Sequence, residues 1–189
     1  MNQGKWVTVT LGLLGLLSLV TVIIYLINPS GTATLDPRAR LLGFVPYKIP
    51  SGSMAPTLIP GDVVITKTFS YASESPKRGD LIAYIPPVHE SAFVGRVVAI
   101  SGDTVSVTGP VVTLNGRELE EEFSVLPDKD CHRGDVESLV VPTGKLFILG
   151  DNRCNSYDSR FFGFVDGKKV IGKIASIVAS REEDRVKDF

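Results

Sequence analysis

The chain begins with one long apolar segment and continues as short apolar runs separated by turn residues. Residues 6–27 (WVTVTLGLLGLLSLVTVIIYLI) contain no charged side chain, and a helix of this length crosses a hydrocarbon core of roughly 30 Å. Trp6 and Tyr25 lie near the two ends, where amphipathic rings favour the headgroup region. The pattern predicts a stub of residues 1–5 followed by one transmembrane helix at residues 6–27.

A cleaved secretory signal is the alternative interpretation, because Gly31-Thr32-Ala33 places small residues after the apolar segment. The segment is longer than the roughly 7–15 apolar residues usual in such signals, which favours an anchor. Lys5 before the helix favours a cytoplasmic N-terminus only weakly, since Arg38 and Arg40 follow it. That orientation would place the rest of the chain on the far side of the membrane.

Beyond a connector at residues 28–48, the pattern changes to strand-length runs rich in valine and isoleucine, with glycine, proline and aspartate between them. It predicts strands at residues 62–66, 80–85, 95–100, 104–108, 111–114, 139–141, 145–149 and 170–178. The most specific turn signal is Asn115-Gly116, which is typical of a tight hairpin. We therefore expect a mainly β domain at residues 49–180, of sandwich or open-barrel type.

Two polar segments interrupt or follow this domain. Residues 120–138 are acidic and polar, which indicates an inserted loop. Residues 181–189 form a charged tail of alternating sign, and such tails are typically solvated helices or frayed ends.

Composition narrows the classes of function. The chain has 20 basic and 21 acidic side chains and a net charge of −1, so it lacks the positive field that nucleic-acid binding needs. Cys131 and Cys154 are its two cysteines, and no Cys/His cluster of zinc-site spacing occurs, so we expect no metal and no cofactor. Outside the cytoplasm this pair could form a disulfide; two separate buried thiols are the alternative.

Two short segments carry the candidate chemistry. Residues 49–58 (IPSGSMAPTL) place two serines around a glycine between two prolines, which suits a tight turn that presents a hydroxyl group. Residues 150–163 (GDNRCNSYDSRFFG) form a dense polar run after an apolar strand, so these polar groups must satisfy one another or a ligand. Taken alone, each segment is also explained as a structural loop.

Together with the anchor, these segments resemble bacterial signal peptidase I, the membrane-bound serine protease that removes secretory signal peptides. The resemblance runs from the anchor to about residue 178. It rests on four stretches in the same order, residues 50–57 (PSGSMAPT), 78–80 (RGD), 96–103 (RVVAISGD) and 150–160 (GDNRCNSYDSR). It implies a largely β fold on a single-pass anchor in the cell membrane, with the β domain on the extracytoplasmic side.

The resemblance also implies roles for individual residues. Ser53 matches the nucleophile, and its N–H together with the Ser51 hydroxyl matches the oxyanion hole. Met54 follows the nucleophile as in the family. The substrates it implies are preprotein signal peptides or other extended segments, bound as an added β-strand with small residues in an A-x-A pattern.

The remaining matched residues support this machinery. Ser156 and Asp158 match the residues that orient the general base. Asp151 and Arg160 match a supporting ion pair, and Arg96 opens the third matched stretch.

At one position the chain departs from the family. In the family, the catalytic lysine directly precedes the arginine of the third matched stretch. In this chain that position is Gly95, which has no titratable group. A base from elsewhere is one hypothesis, with His89, Lys145 or a partner chain as its source. The other is a catalytically inactive homologue that acts as a peptide-binding or assembly factor, for example for pilus-type subunits.

Overall fold

The computed structural model describes residues 3–121 and 134–189. Helix α1 (Gln3–Ile27) contains the segment Trp6–Ile27, which is long and apolar enough to span a membrane and is largely exposed. Its C-terminal end is tied to the connector, because the Tyr25 hydroxyl donates to the Leu35 carbonyl (2.9 Å) and the Arg40 guanidinium lies over the Tyr25 ring. The helix matches the predicted anchor, and it fits attachment by a single span.

The described part of the domain is mainly β, as predicted. Its strands are, in chain order, β1 (Phe44–Lys48), β2 (Val63–Lys67), β3 (Leu81–Tyr84), β4 (Phe93–Ile100), β5 (Thr104–Thr108), β6 (Val111–Leu114), β7 (Arg117–Glu118), β8 (Val136–Val140), β9 (Lys145–Leu149), β10 (Val165–Asp166), β11 (Val170–Ala179) and β12 (Lys187–Asp188).

The strands form two antiparallel sheets. The larger has the order β1-β2-β11-β3-β4-β9-β10, with β12 beside β11, and the smaller has the order β7-β6-β5-β8. Asn115 and Gly116 have positive φ between β6 and β7, so the predicted hairpin is confirmed. In the larger sheet, β1 is an edge strand that pairs only with β2 among the described strands.

The structure corrects two of the predicted boundaries. Strand β1 lies inside the predicted connector at residues 28–48, so the domain begins by Phe44. The run is short and contains Pro46, so the sequence pattern does not predict a strand here. An edge strand nevertheless tolerates proline. Strand β8 occupies the end of the loop predicted at residues 120–138, and residues 122–133 of that loop lie outside the described residues.

The charged tail also differs from the prediction. A 3-10 turn (Glu183–Arg185) and strand β12 dock it against β11. The Arg185 guanidinium donates to the carbonyls of Pro56 (3.1 Å) and Thr57 (2.9 Å) and to the buried Asp62 carboxylate (3.0 Å). The tail is therefore not a frayed end, because its cation satisfies polar groups of the loop between β1 and β2.

Candidate active site

The loop between β1 and β2 carries Ser51 and Ser53 above the core. Ile49, Met54 and Leu58 are buried together from this loop, and Met54 is only 1% exposed. The Ala55 N–H bonds the Gly52 carbonyl and the Leu58 N–H bonds the Met54 carbonyl. Buried side chains on both sides of the turn thus hold it, which leaves Ser51 exposed and Ser53 half-buried.

The two hydroxyl groups of this loop are neighbours. Ser51 Oγ lies 3.3 Å from Ser53 Oγ, so a hydroxyl donor stands beside the predicted nucleophile. A group attached at Ser53 Oγ would therefore lie next to a donor able to stabilise negative charge on it.

The second polar segment holds the backbone of this loop. The Asn152 N–H donates to the Ser53 carbonyl (3.0 Å), and the Asn152 side-chain amide donates to the Gly52 carbonyl (3.1 Å). At Gly150 a Cβ atom would come within 2.5 Å of the Ser53 carbonyl oxygen and would collide with the Ser156 side chain. Glycine at position 150 therefore allows both serines to pack against this strand end.

A buried ion pair connects strand β4 to the second polar segment. Arg96 on β4 donates to Asp151 through Nε (2.8 Å) and Nη2 (2.6 Å), and its Nη1 donates to the Gly79 carbonyl. The Thr57 hydroxyl donates to the same Asp151 carboxylate. Sequence reasoning assigned Thr57 no role, although it lies inside the first matched stretch. The contact joins the serine loop to the second segment.

The predicted pair of Asp151 with Arg160 is wrong. Arg160 instead bonds Asp158 (Nε to Oδ1, 2.8 Å), and Asp158 also accepts from the Gly150 N–H and caps the short helix α2 (Ser159–Phe162). The reason is sheet register: Arg96 pairs with Leu149 across β4 and β9, which places the Arg96 side chain beside Asp151. Sequence proximity alone does not distinguish these partners.

Position 95 is tightly packed. A Cβ atom on Gly95 would lie 2.5 Å from Ile148 Cγ2, and 3.3 Å from both Tyr84 Cε1 and the Leu149 carbonyl oxygen. Burial raises the pKa of the Tyr84 phenol, and the charge of Asp158 raises it further, so this ring stays neutral at pH 7. The strand therefore presents no base at position 95, and its neighbours fill the space where a side chain would begin.

The two alternative bases lie in different places. Lys145 begins β9, at the opposite end from Leu149, and its amine pairs with Asp166 (3.0 Å). Four residues of strand, roughly 13 Å, separate the two ends, so the structure does not bring Lys145 to Ser53. His89 instead stacks on Phe93 with ring centroids 5.3 Å apart and meets the Tyr157 ring at 6.2 Å.

Two cavities flank Ser53. One has a volume of about 350 Å³ and a largely apolar lining that includes Ile49, Met54, Ala83 and Val94. The other, of about 450 Å³, is lined by Ser51, Ser53, Phe93, Asn155, Ser156, Tyr157 and Phe161. The predicted serines 51, 53 and 156 thus converge on one cavity, and its aromatic residues are ones that sequence reasoning did not single out.

The cysteine prediction is described only at one end. Cys154 lies in a 3-10 turn (Arg153–Asn155) directly before Ser156 and is disulfide-bonded. Cys131 lies outside the described residues. Within the described ranges, no group of His, Cys, Asp and Glu side chains could hold a metal ion.

Comparison with known proteins gives concordant matches. A family model described as signal peptidase, peptidase S26, matches residues 6–179. Signal peptidase I of Leptolyngbya laminosa is 41% identical over 133 residues, which cover 66% of this chain and 64% of that protein. Signal peptidase I of Bacillus caldolyticus is 32% identical over 145 residues, which cover 71% and 79%.

A similar solved structure is the crystal structure of a signal peptidase I from Enterococcus faecalis V583. It is 31% identical to this chain, covers 53% of this chain and 97% of that one, and has a TM-score of 0.47.

Proposed function

Because the chain belongs to the S26 family of signal peptidases, we propose that it is a membrane-anchored serine endopeptidase that cleaves signal peptides from exported preproteins after small residues. The observation that carries the proposal is the neighbouring pair of hydroxyl groups at Ser51 and Ser53, between two cavities. Ser53 is the nucleophile. The anchor α1 keeps the reaction at the membrane, and the β domain works on the extracytoplasmic side.

An extended peptide has a place to bind beside this serine. Edge strand β1 leads directly into the serine loop, and unpaired strand edges accept an added strand. The cavity lined by Ala83, Val94 and Met54 lies on the same side of Ser53 as the end of β1. Its apolar lining suits the small side chain that precedes the cleaved bond.

The reaction follows from the positions of the hydroxyl groups. Ser53 Oγ attacks the scissile carbonyl carbon, while the Ser51 hydroxyl and the Ser53 N–H stabilise the negative charge that develops on its oxygen. The serine hydroxyl proton passes to the peptide nitrogen as the C–N bond breaks and the amine leaves. Water then attacks the acyl carbon, and a proton returns to Ser53 Oγ as the ester C–O bond breaks. The Asn152 side-chain amide holds the Gly52 carbonyl, which shares a planar peptide group with the Ser53 N–H, so this bond fixes the direction of that N–H.

Gly95 favours the second candidate, a catalytically inactive homologue that holds extended peptides without cutting them. A positioned general base contributes about 10²- to 10⁴-fold to such reactions, and position 95 supplies none. The two candidates differ in one observable, because a binding factor retains peptide affinity but releases no product.

The deciding experiment uses the full chain in liposomes, with a preprotein that carries an A-x-A site. We expect the chain to release mature protein and Ser53→Ala to lose the rate by about 10³-fold or more. Ser106→Ala, on strand β5 of the other sheet, is the matched control and should cleave normally. Binding of the preprotein without release of product by the unmodified chain would establish the binding factor instead.

A further inference from the structure

The larger of the two cavities beside Ser53 is lined by aromatic rings that the proposed reaction does not use. We infer that this 450 Å³ cavity binds an aromatic side chain of the substrate, at the second residue after the cleaved bond. The inference rests on the proposed function, because it takes an extended peptide lying over Ser53 as the substrate.

The two cavities meet at the serine loop. Ser51, Ser53 and Phe93 line both of them. The smaller cavity continues toward the end of β1, whereas the larger continues toward the second polar segment and includes Ser156 and Tyr157. A peptide that places the residue before the cleaved bond in the smaller cavity therefore extends past Ser53 into the larger one.

The periodicity of an extended chain determines which substrate residue faces the larger cavity. Side chains alternate between the two faces of a strand, so the second residue after the bond points to the same side as the residue before the bond. These two side chains are roughly 7 Å apart along the peptide. The first residue after the bond points away from the protein.

Three aromatic side chains, Phe93, Tyr157 and Phe161, form an aromatic wall in the larger cavity. Tyr157 stacks on Phe161 with ring centroids 5.4 Å apart, and these two residues are 49% and 41% exposed. Phe93 is half-buried. Apolar surface that a fold leaves exposed beside a cavity is typical of a binding site, since burying it in the core would have been favourable.

Buried polar groups hold the segment that carries Tyr157 and Phe161. Asp158 caps helix α2 by accepting from the Arg160 N–H. The Arg160 guanidinium pairs with the same carboxylate and lies 5.7 Å from the centroid of the Phe161 ring. The Ser159 hydroxyl accepts from the Ile148 N–H (2.9 Å), which ties the helix to β9. The rings are therefore positioned before a peptide binds, so binding orders few side chains.

The lining of the cavity favours an aromatic side chain over a charged one. Aromatic rings pack edge-to-face or offset against one another, which stabilises a pair beyond the area that it buries. None of the described residues that line this cavity carries a charge. A substrate carboxylate or ammonium group would lose hydration there without gaining an opposite charge from the lining.

The test uses the full chain in liposomes and preproteins that share an A-x-A site and differ at the second residue after the bond. That residue is phenylalanine, alanine or aspartate. We expect kcat/KM to be about 10-fold higher with phenylalanine than with alanine, and lowest with aspartate. The difference should lie in KM, because the contact is present before and during the reaction. Equal values for phenylalanine and alanine would overturn the inference.

The matched substrate control carries phenylalanine at the first residue after the bond and alanine at the second. This substrate should behave like the one with alanine at both positions, because its ring points away from the cavity. A gain from phenylalanine at the first position and none at the second would contradict the assignment.

Variants of the chain test whether the aromatic wall provides the preference. Tyr157→Ala combined with Phe161→Ala should remove the difference between the phenylalanine and alanine substrates, whereas Tyr157→Phe keeps the ring and should retain it. Phe69→Ala is the matched control, since this ring is 45% exposed but lines neither cavity, and it should also retain the difference. A folded double variant that still prefers phenylalanine would refute the wall as its source. If the double variant does not fold, the substrate series on the unmodified chain decides.

A binding measurement separates this inference from the proposed function. Ser53→Ala lacks the nucleophile, and fluorescence anisotropy should show that it binds the phenylalanine peptide about 10-fold more tightly than the alanine peptide. If the unmodified chain releases no product but this difference in affinity is present, the proposed cleavage is wrong and the cavity assignment stands. Equal affinities for the two peptides would overturn the assignment, even in a chain that cleaves both.

Discussion

The serine loop and position 95 of β4 are built in opposite ways. The serine loop is held by Asp151, which accepts from Thr57, and by Asn152, which donates to the Ser53 carbonyl. Arg96 of β4 in turn holds Asp151. Position 95 lies within β4 opposite Ile82 of β3, and ordinary core packing closes around it. The difference shows that the contacts around the proposed nucleophile are closely built, although position 95 of the neighbouring strand offers no proton acceptor.

Removing the buried ion pair of Arg96 and Asp151 should have the largest effect on the free energy of unfolding. The Arg96–Asp151 pair is buried, with 8% and 0% of the two side chains exposed. Arg96→Met leaves the Asp151 charge without its partner, so we expect the free energy of unfolding to fall by about 3–5 kcal/mol in urea titrations.

The matched control for that change is Arg78→Met. Arg78 also pairs with an aspartate, Asp103, but 46% of its side chain is exposed, so its loss should cost about 1 kcal/mol or less. Equal losses for the two arginines would show that the buried pair is not what supports the serine loop.

Adding one methyl group at position 95 and one in the serine loop tests this difference in packing. Gly95→Ala meets Ile148 Cγ2 at 2.5 Å, and overpacking of this kind costs about 1–3 kcal/mol. Gly52→Ala, in the serine loop, meets nothing within 4 Å and should change stability by less than about 0.5 kcal/mol. Thermal unfolding measures both.

Ile148→Leu, which removes the β-branch, should recover part of the Gly95→Ala loss. A Gly95→Ala variant as stable as the unmodified chain would contradict the close packing around position 95.

The smallest effect on the free energy of unfolding is expected from a substitution in the charged tail. Arg185→Met removes the guanidinium hydrogen bonds to the Pro56 and Thr57 carbonyls and to the buried Asp62 carboxylate, and should cost about 1 kcal/mol near pH 7. Burial raises the pKa of Asp62, but bonds from Arg185, the Ile59 N–H and Ser180 outweigh it and leave the pKa lowered.

The sign of the pH effect follows from that lowered pKa. Its stabilisation is present above the unfolded aspartate pKa of about 3.9 and is lost as pH falls through the lower folded value. The gap between Arg185→Met and the unmodified chain should therefore close on acidification. A gap that stays constant from pH 7 to pH 3 would mean that the Arg185 contribution is not electrostatic.

The sequence predicts local features of this fold well. The anchor is visible because residues 6–27 carry no charge, and the hairpin is visible because Asn115-Gly116 suits positive φ at both turn positions. The family is identified through residues that lie close together within each motif. These signals are properties of short segments, so no tertiary contact is needed to detect them.

Features set by contacts between distant segments were not predictable in the same way. The partner of Asp151 depends on the register of β4 against β9, and the docking of the tail depends on its pairing with β11. His89 is one residue in an exposed loop, and only the folded chain brings its ring against both Phe93 and Tyr157. Each case needs geometry that a linear pattern does not encode.

The docked tail has a practical consequence for anyone purifying this protein. The Phe189 N–H donates to the Ala175 carbonyl of β11 at 2.7 Å. Arg185, four residues earlier in the tail, donates to the Thr57 carbonyl of the serine loop. An affinity handle fused directly behind Phe189 would pull on that hydrogen bond and disturb the loop that presents the hydroxyl groups. A flexible glycine–serine spacer ahead of the handle avoids this, and comparing preparations with and without the spacer would expose activity lost to the tag alone.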